Sequence, residues 1–504
     1  MQHARLSTLV RNLNSYATPS GPAMSLVMKT KTALHPAMLL VFLTAPFFYI
    51  RFHAFDFSKG TSLSLVDIFL FILCAKIAKH IFLQFRSLNY SNAKKVLTAA
   101  LWSDTDTRHY VTVGGLFVLW ACLSSIVGSF LYPLDGPFSI SAFLSGLSQY
   151  AFLLLEFPLL ARTFIKNRSQ FDDSIKYIAL GYIPTMALTL FLVDPKHIPG
   201  LSEMFFFANR AIGTYGNSNS FAYVLLTTLP FYVYLSHKGE NKIWRALGVT
   251  GAALSLICLA MTGSFGGILS LAAIGMATLS LLPLWKEHPL RGQAKKAIRY
   301  LAMLFVLFTL GLGVVVIQNK TYAQNIGRRL EPALYAIERV TNIHLINPDF
   351  SISKWETLQN LYESIGSMSQ RIELIKRAMD LVAARSGGIL FGHGLRQSFA
   401  YVPFHFAGPA LDVHMQFVLL WIEGGFVLMI LYTAFLSLIA KQIFKAAKSH
   451  PAEALMLGAS LVAIVLTGIM SPHLYLRYFW VPLLPAFFMA QALTATPSDG
   501  KQAL

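Results

Sequence analysis

Charged residues are scarce in this chain. They make up 13% of its 504 residues, whereas soluble domains usually carry about 25%, and hydrophobic residues make up 55%. Cysteine is scarcer still, since the chain has only Cys74, Cys122 and Cys258, all of which fall in apolar runs. The composition indicates a polytopic membrane protein, and it predicts neither a disulfide framework nor a cysteine-based metal site.

The apolar residues lie in twelve runs of about 20 residues, which is the length that a helix needs to cross a bilayer. The predicted spans are residues 35–51, 62–85, 110–132, 139–161, 175–193, 219–236, 244–262, 264–285, 300–318, 411–439, 453–470 and 474–493. These runs are continuous and do not alternate with polar residues, so they exclude a strand barrel. We predict an all-α polytopic membrane protein with about 12 transmembrane helices and one large, mostly helical loop.

The polar segments set the predicted domain order. Residues 1–34 form a basic tail without the apolar core of a signal peptide, and residues 35–318 hold the first nine spans. Residues 319–410 are the long loop, residues 411–493 hold the last three spans, and residues 494–504 form a second tail. The first span therefore directs insertion in this prediction.

The net charge of +18 has two alternative explanations. A nucleic-acid binder would gather its basic residues on one face. Instead, most Lys and Arg fall in the connecting segments that alternate spans place on the side of the two tails, which is the positive-inside pattern. We therefore predict that both tails are cytoplasmic and the long loop is external, with membrane lipids and no nucleic acid among the partners.

The external segment before the sixth span holds the first candidate site. Arg210 is followed by Gly216-Asn217-Ser218-Asn219, in which Asn217 or Asn219 can cap the next helix. A guanidinium beside a helix N-terminus suits a phosphate or diphosphate, because the guanidinium fork and the helix dipole both favour an anion. The alternative is an interfacial arginine whose side chain reaches the lipid headgroups.

Two further segments supply polar candidates. Ser264 lies in the short turn between the seventh and eighth spans and can cap the following helix, and this structural role is the simpler interpretation. In the long loop, Arg371 and Arg396 are candidate anion ligands, although solvated or paired arginines would explain them equally well.

Helical spacing of apolar residues predicts an amphipathic helix between Lys354 and Arg385, ending at Gly387-Gly388. Its apolar stripe, which should face the membrane domain, consists of Leu358, Leu361, Tyr362, Ile365, Met368, Ile372, Ile375, Met379 and Val382. The following Gly392-His393-Gly394 is predicted to be a turn. It is not a phosphate loop, because it lacks the Gly-Lys-Ser/Thr ending.

His414 lies at the external end of the tenth predicted span, where an ionisable side chain suggests function. A neutral imidazole is well suited to move a proton near neutral pH. Asp412 and Glu423 are close enough in sequence to orient the imidazole, Glu423 lying about two to three helical turns further on. The alternative is a hydrogen-bonded interfacial histidine without a catalytic role.

Together these segments resemble the O-antigen ligase and polymerase superfamily of bacterial integral-membrane glycosyltransferases. In chain order, the resemblance rests on Arg210 with Gly216-Asn217-Ser218-Asn219, Ser264-Phe265-Gly266, Arg371 through Gly392-His393-Gly394, and His414-Met415-Gln416. It covers about residues 205–440. Two positions depart from the family pattern, because Phe265 stands where many members have an arginine and Met415 replaces the usual asparagine.

The resemblance implies transfer of a glycan from undecaprenyl diphosphate to an acceptor hydroxyl, on lipid A-core or a growing polysaccharide, at the periplasmic face of the bacterial inner membrane. It implies that His414 acts as base on the acceptor hydroxyl and that Arg210 stabilises the diphosphate leaving group. The implied substrate-binding residues are Arg371, Arg396, Asn217, Asn219 and Ser264. The chain has no external motif of paired carboxylates, so we expect metal-independent transfer without a cofactor.

Two other functions remain open from the sequence. A twelve-helix secondary transporter would carry ionisable residues or broken helices near the bilayer midplane, and few ionisable residues lie there apart from Lys76, Lys79 and Glu156. A membrane scaffold or an inactive relative in polysaccharide export is the second alternative, which Phe265 favours.

Overall fold

In a computed structural model of the chain, most of the described residues are helical. The structure describes residues 51–57, 61–64, 104–131, 137–165, 167–192, 205–207, 210–215, 217–281, 374–384, 387–400, 413, 415–471, 474 and 486–494. The N-terminal tail, the ninth predicted span, Arg371 and His414 lie outside the described residues.

The described helices follow the predicted spans closely. They are α1 Thr105–Leu131, α2 Ile140–Ala151, α3 Phe157–Phe164, α4 Arg168–Phe191, α5 Ser218–Lys238, α6 Lys242–Thr262, α7 Phe265–Leu281, α8 374–383, α9 Gly388–Phe391, α10 Gln416–Ala447, α11 Pro451–Met470 and α12 Ala486–Thr494. A π-helical turn, Phe152–Glu156, joins α2 to α3, and the residues on either side of it, Ala151 and Phe157, keep helical dihedrals. Short 3₁₀ turns cover Gly213–Tyr215 and Gln397–Ala400.

Six helical segments in the described part of the chain are long and apolar enough to cross a membrane. They are Thr105–Phe130, Ile140–Leu159, Arg168–Phe191, Lys242–Thr262, Gln416–Ala447 and Pro451–Ile469. The predicted spans 219–236 and 264–285 also form helices, α5 and α7, but neither is among the six. The protein is thus a mostly helical, multi-pass membrane protein, while the count of twelve spans and the external loop remain predictions.

Asparagine and serine caps start several helices just before their apolar runs. The side chains of Asn167 and Asn241 accept hydrogen bonds from the backbone N–H groups of Gln170 and Trp244, three residues on. Each cap pairs a donor that the first helical turn leaves unpaired, so the helix begins in polar sequence ahead of the span. At the other end of α6, Gly263 adopts a left-handed conformation, with φ 54°, and ends the helix.

Helices α5 and α6 approach each other closely through glycine. A Cβ atom built on Gly248 would lie 2.3 Å from the backbone nitrogen of Ser236, and one on Gly251 would lie 2.2 Å from the Tyr232 ring. Small residues of this kind let two membrane helices approach until their backbones nearly touch. Helix α5 also packs against α4 and α11, so most of its side chains are buried although it is not one of the six apolar segments.

Helix α10 is interrupted near its N-terminal end, at Gly424 and Gly425. Gly424 and Gly425 have non-helical dihedrals, and Gly425 has a φ of 70°, which favours glycine. The helix packs against α1, α11 and α12, and the short helix α9 packs at the break itself. The break therefore divides α10 into a short first part, 416–423, and a long second part.

Ion pairs gather at one end of the described helices. They are Arg162–Asp104, Arg168–Asp172, Arg168–Glu453, Lys176–Asp173, Lys176–Glu240, Lys441–Asp106 and Lys445–Asp106. At this end α1, α4, α6 and α11 begin, and α3, α5 and α10 finish. The sequence predicts that this end is cytoplasmic.

Two antiparallel strand pairs accompany the helices. Strand β1 (Arg51–Phe57) pairs with β2 (Thr61–Ser64), so the second predicted span, 62–85, is strand rather than helix in its first residues. Strand β3 (Phe206–Phe207) pairs with β4 (Arg210–Ala211) in a small hairpin. Phe205, next to this hairpin, is buried.

The amphipathic loop helix differs in two respects from its prediction. Helix α8 ends at residue 383, ahead of the predicted end, and Gly388 instead begins the separate short helix α9. The buried side chains of α8 include Leu374, Ala378 and Leu381, whereas Met379 of the predicted stripe is 39% exposed. Val382 and the partly buried Ile375 of the predicted stripe pack in the same cluster with α10, so the prediction is confirmed at these two positions and wrong at Met379.

Candidate functional site

Arg210 lies on strand β4 and holds the end of helix α6. Its Nε donates to the carbonyl of Thr262 at 2.7 Å, and its Nη2 lies 3.4 Å from the carbonyl of Gly263. These carbonyls belong to the C-terminal end of α6, where the helix dipole is negative and a cation is stabilising. The half-buried Arg210 therefore stabilises the end of α6. The sequence suggests an anion ligand or a contact with lipid headgroups for this residue, and neither interpretation includes this structural role.

Asn217, Asn219 and Ser264 lie at the starts of two neighbouring helices. The Asn217 side chain caps α5 by accepting from the backbone N–H of Asn219 at 2.8 Å. Ser264 caps α7 by accepting from the backbone N–H of Gly267 at 3.1 Å. The buried hydroxyl of Ser264 then donates to the Asn219 side-chain oxygen at 2.8 Å, which connects the two helix starts.

These contacts bring four of the predicted site residues into one group, which we call the cap cluster: Arg210, Asn217, Asn219 and Ser264. Arg210 bonds to the carbonyl of Gly263, the residue directly before Ser264. The cluster thus places a guanidinium beside the N-termini of α5 and α7. Both helix starts carry partial positive charge, so this arrangement is chemically suited to an anion.

Arg396 lies in a different set of contacts. It is the non-glycine residue with a positive φ, 53°, among those described. Its Nη1 donates to the Ser145 hydroxyl of α2 at 3.0 Å, and its backbone N–H donates to Oε1 of Glu423 at 3.0 Å. Its guanidinium is therefore held against α2, whereas the cap cluster is built on α5, α6 and α7.

Residues 392–397, which we call the docking turn, fit into the break of α10. The backbone N–H groups of His393 and Gly394 donate to the carbonyls of Ile422 and Glu423, at 2.6 and 3.0 Å. A Cβ atom on Gly392 would lie 2.5 Å from the Ile422 carbonyl oxygen, so a side chain at 392 would prevent this approach. The predicted Gly-His-Gly turn is confirmed as a turn, and its backbone pairs groups that the helix break exposes.

The docking turn also contacts α1 and the start of α2. The N–H of Leu395 donates to the Ser125 hydroxyl at 2.9 Å, and Gln397 exchanges hydrogen bonds with the backbone of Ser139, at 2.9 and 3.1 Å. The indole N–H of Trp120 donates to the carbonyl of Gly424 at 2.7 Å. The last described part of the loop is therefore fixed to three helices.

His414 and Arg371 lie outside the described residues, and both flank a described packing region. Val413 is 1% exposed and packs in a small cluster with Val418 and Ile422 of α10 and with the buried face of α8. The predicted contact between the amphipathic loop helix and the membrane domain is thus present at Val413, Val418 and Ile422. The roles assigned to His414 and Arg371 remain predictions.

Glu423 and Tyr150 are site residues that the sequence did not single out as a pair. The Glu423 carboxylate is fully buried, and its Oε2 accepts from the Tyr150 hydroxyl at 2.5 Å. The sequence suggested Glu423 as an orienting partner of His414, and this stays a prediction because His414 lies outside the described residues. Among the described residues, Tyr150 and the Arg396 backbone donate to Glu423. The available signal was an acid directly before Gly424-Gly425 inside an apolar run.

A protein-family model described as O-antigen ligase matches residues 250–433. The match contains Ser264, Arg396 and Glu423, while Arg210 and the two asparagines precede it. It confirms the resemblance to the O-antigen ligase and polymerase superfamily that the ordered motifs predict. No curated protein gives a significant match to the chain.

Proposed function

We propose that this chain, whose residues 250–433 match a family model described as O-antigen ligase, transfers a glycan from undecaprenyl diphosphate to an acceptor hydroxyl at the periplasmic face of the bacterial inner membrane. The acceptor is lipid A-core for a ligase, or a growing carrier-linked glycan for a polymerase. The observation that carries the proposal is the cap cluster, in which Arg210 stands beside two helix N-termini.

The chemistry of the donor matches the charge of the cluster. In the transfer step, the bond between the sugar C1 and the diphosphate oxygen breaks, and the diphosphate leaves with the electron pair. A guanidinium and two helix N-termini stabilise the charge that develops on this leaving group. A new bond forms between C1 and the acceptor oxygen, whose proton passes to the His414 imidazole. Arg371 and Arg396 bind the glycan-carrying substrate in this proposal, Arg396 from its position against α2 rather than within the cap cluster.

Phe265 bears on how the diphosphate is held. The first residue of α7 is Phe265 where many superfamily members have an arginine, so the cluster has one cation fewer than the family pattern. We infer that Arg210 and the backbone N–H groups of the two helix starts supply most of the attraction for the diphosphate. This reaction needs no metal, so transfer should persist when divalent ions are removed with a chelator.

A complementation experiment tests the proposal. A strain lacking the gene is supplied with the parent gene or with the Arg210→Ala or His414→Ala variant, and surface polysaccharide is separated on a gel. Both variants should fail to restore it. Accumulated carrier-linked polymer would identify a ligase, and accumulated single repeats a polymerase, whereas full complementation by both variants would overturn the catalytic assignment.

Arg245→Ala provides a matched control for Arg210→Ala. Arg245 also donates from Nε to a backbone carbonyl, that of Gly239 at 3.0 Å, but at the opposite end of α5 and α6. Its loss removes a comparable hydrogen bond far from the cap cluster. Arg245→Ala should therefore restore the polysaccharide, and equal failure of both variants would assign the Arg210 effect to folding.

A secondary transporter is the second candidate, because α10 is broken beside a buried acid. Discontinuous helices with ionisable residues are typical of transporter sites. Here, however, the break receives backbone N–H groups of the docking turn, so these exposed carbonyls already have partners. Transfer by purified protein in vesicles, with carrier-linked donor and acceptor on the same side, would favour the glycosyltransferase. Movement of the intact donor across the bilayer without transfer would favour the transporter.

A further inference from the structure

The break in α10 is held by a buried carboxylate. Glu423 is 0% exposed, and its two oxygens accept from two separate elements: the Tyr150 hydroxyl of α2 and the backbone N–H of Arg396. An ionised carboxylate only accepts hydrogen bonds, so both donors suit it. Burying a charge is costly unless it is hydrogen-bonded, and removing it leaves buried donors without their acceptor.

The docking turn depends on outside contacts for its shape. Gly392, Gly394 and Arg396 have positive φ values of 65°, 99° and 53°. A left-handed conformation at a non-glycine residue costs free energy and persists only where the surroundings enforce it. At Arg396 one such contact is the Glu423 carboxylate, which accepts from the backbone N–H of the same residue. Glu423 also accepts from Gly394 through its own carbonyl, so one residue of α10 holds the turn at two points.

The position of the turn fixes two parts of the proposed site. On one side, Arg396 reaches Ser145 of α2 with its guanidinium. On the other, the first part of α10, 416–423, directly follows His414 and packs against α8 through Val418 and Ile422. If the turn leaves the break, the Arg396 guanidinium loses its position against α2 and the first part of α10 loses the backbone contacts at Ile422 and Glu423.

We propose that Glu423 is a positioning residue of this protein: its carboxylate holds the docking turn in the break of α10 and so sets the positions of Arg396 and of the first part of α10, 416–423. The kinetic consequence of this inference rests on the proposed glycosyl transfer, whereas the contact between the Glu423 carboxylate and the docking turn does not depend on it. Glu423 does not touch substrate in this proposal.

A second buried glutamate offers a matched control. Glu453 is 6% exposed and accepts from the Tyr234 hydroxyl at 3.0 Å and from Arg168 at 2.5 Å, at the opposite end of the helices. It therefore shares with Glu423 a buried carboxylate, a tyrosine donor and a second donor. Variants at 453 report what the loss of such a carboxylate costs in general, without any effect on the docking turn.

The first experiment measures how strongly Glu423 protects the docking turn from amide exchange, and it does not depend on glycan transfer. Amide hydrogen exchange of residues 391–397 is followed by mass spectrometry in the full-length protein, in lipid nanodiscs, for the parent, Glu423→Ala, Tyr150→Phe and Glu453→Ala. Glu423→Ala should accelerate exchange in this segment by about tenfold or more, Tyr150→Phe by less, and Glu453→Ala should leave it unchanged. Unchanged exchange in Glu423→Ala would overturn the proposal whether or not the protein transfers glycans.

The second experiment measures the kinetic consequence in vesicles with carrier-linked donor. Misplacement of a catalytic group by about 1 Å costs up to about a hundredfold in rate, so kcat should fall by about tenfold or more in Glu423→Ala with a smaller change in KM. Glu423→Gln keeps an oxygen for the Arg396 N–H and should recover much of the loss. Faster exchange with unchanged kcat would overturn the positioning role, and inactivity of the parent protein would instead count against the proposed function.

Discussion

At the scale of single residues, the cap cluster combines a structural and a proposed functional role in the same side chains. The hydroxyl of Ser264 caps α7 and also donates to Asn219, and Arg210 holds the end of α6 while standing beside two helix starts. Truncation to alanine therefore disturbs folding and anion binding together. A substitution that keeps the hydrogen bonds and changes only the charge separates the two roles.

Asn219→Asp is such a substitution. Aspartate keeps an oxygen that accepts from the Ser264 hydroxyl, and a negative charge at the start of α5 should raise stability by about 0.3–1 kcal/mol. The same charge repels a diphosphate, so transfer should fall by about tenfold or more. The measurements are unfolding in increasing dodecyl sulfate and transfer in vesicles.

Asn217→Asp is the control for this prediction, because Asn217 caps the same helix and is exposed, further from Ser264 in the hydrogen-bond chain. It should lose less activity than Asn219→Asp. Retained transfer in Asn219→Asp would show that no anion binds between the two helix starts.

At the scale of helices, the ends were largely predictable and the break in α10 was not. Apolar runs predicted spans near 244–262 and 453–470, and the helices there are Lys242–Thr262 and Pro451–Met470. Runs of this length report the bilayer-crossing part, and the caps add the polar first turn. The break at Gly424-Gly425 depends on the docking turn, about thirty residues away in sequence, and on α1, roughly three hundred residues away, so local patterns carry little information about it.

The candidate site shows the same division between local and distant information. A serine before an apolar run predicted the cap at Ser264, and this local signal is confirmed. The hydrogen bond from Arg210 to the end of α6 and that from Tyr150 to Glu423 join distant elements, and only the three-dimensional packing determines them. The burial of Leu374 rather than Met379 on α8 has the same cause, because the two side chains are similarly apolar and the contact with α10 selects between them.

Gly425→Ala tests the close contact at the break. A Cβ atom at this position would lie 1.9 Å from the Leu390 carbonyl oxygen, and its φ of 70° is unfavourable for alanine. We expect a loss of at least about 2 kcal/mol in the free energy of unfolding, together with faster amide exchange in residues 391–397.

The control is Gly115→Ala in α1, where a Cβ atom would have nothing within 4 Å. Alanine is the better helix former, so this variant should lie within about 1 kcal/mol of the parent, on the stabilising side. Equal destabilisation by both substitutions would mean that the contact at Leu390 is not tight in the protein.

Gly248→Ala tests the close approach of α5 and α6. The backbone of Ser236 lies 2.3 Å from the added Cβ position and cannot rotate away as a side chain would, so the two helices must separate. We expect a loss of about 3 kcal/mol in the free energy of unfolding in dodecyl sulfate.

Gly458→Ala in α11 provides the comparison, since its nearest neighbouring atom is Cγ2 of Ile443 at 3.8 Å. This ordinary contact should leave stability within about 1 kcal/mol of the parent. A Gly248→Ala protein as stable as Gly458→Ala would contradict the described packing of α5 on α6.

At the scale of the whole molecule, the two ends of the helices differ in chemistry. One end carries the ion pairs of Arg162, Arg168, Lys176, Lys441 and Lys445 with carboxylates on neighbouring helices or directly beside their ends. The other end carries the cap cluster, the docking turn and Arg396. The positive-inside pattern predicts that the first end is cytoplasmic, and the proposed transfer then takes place on the opposite side of the membrane.

Labelling of single cysteines from outside the cell tests this orientation. Ser141 and Ser449 are exposed serines at opposite ends of the described helices, next to the starts of α2 and α11. In a chain whose native Cys74, Cys122 and Cys258 are replaced by alanine, a maleimide that does not cross the membrane should label Ser141→Cys in intact spheroplasts. It should label Ser449→Cys only after the membrane is permeabilised. The reverse pattern would place the cap cluster in the cytoplasm, where a periplasmic transfer reaction is impossible, so this measurement decides the side of the reaction independently of any activity.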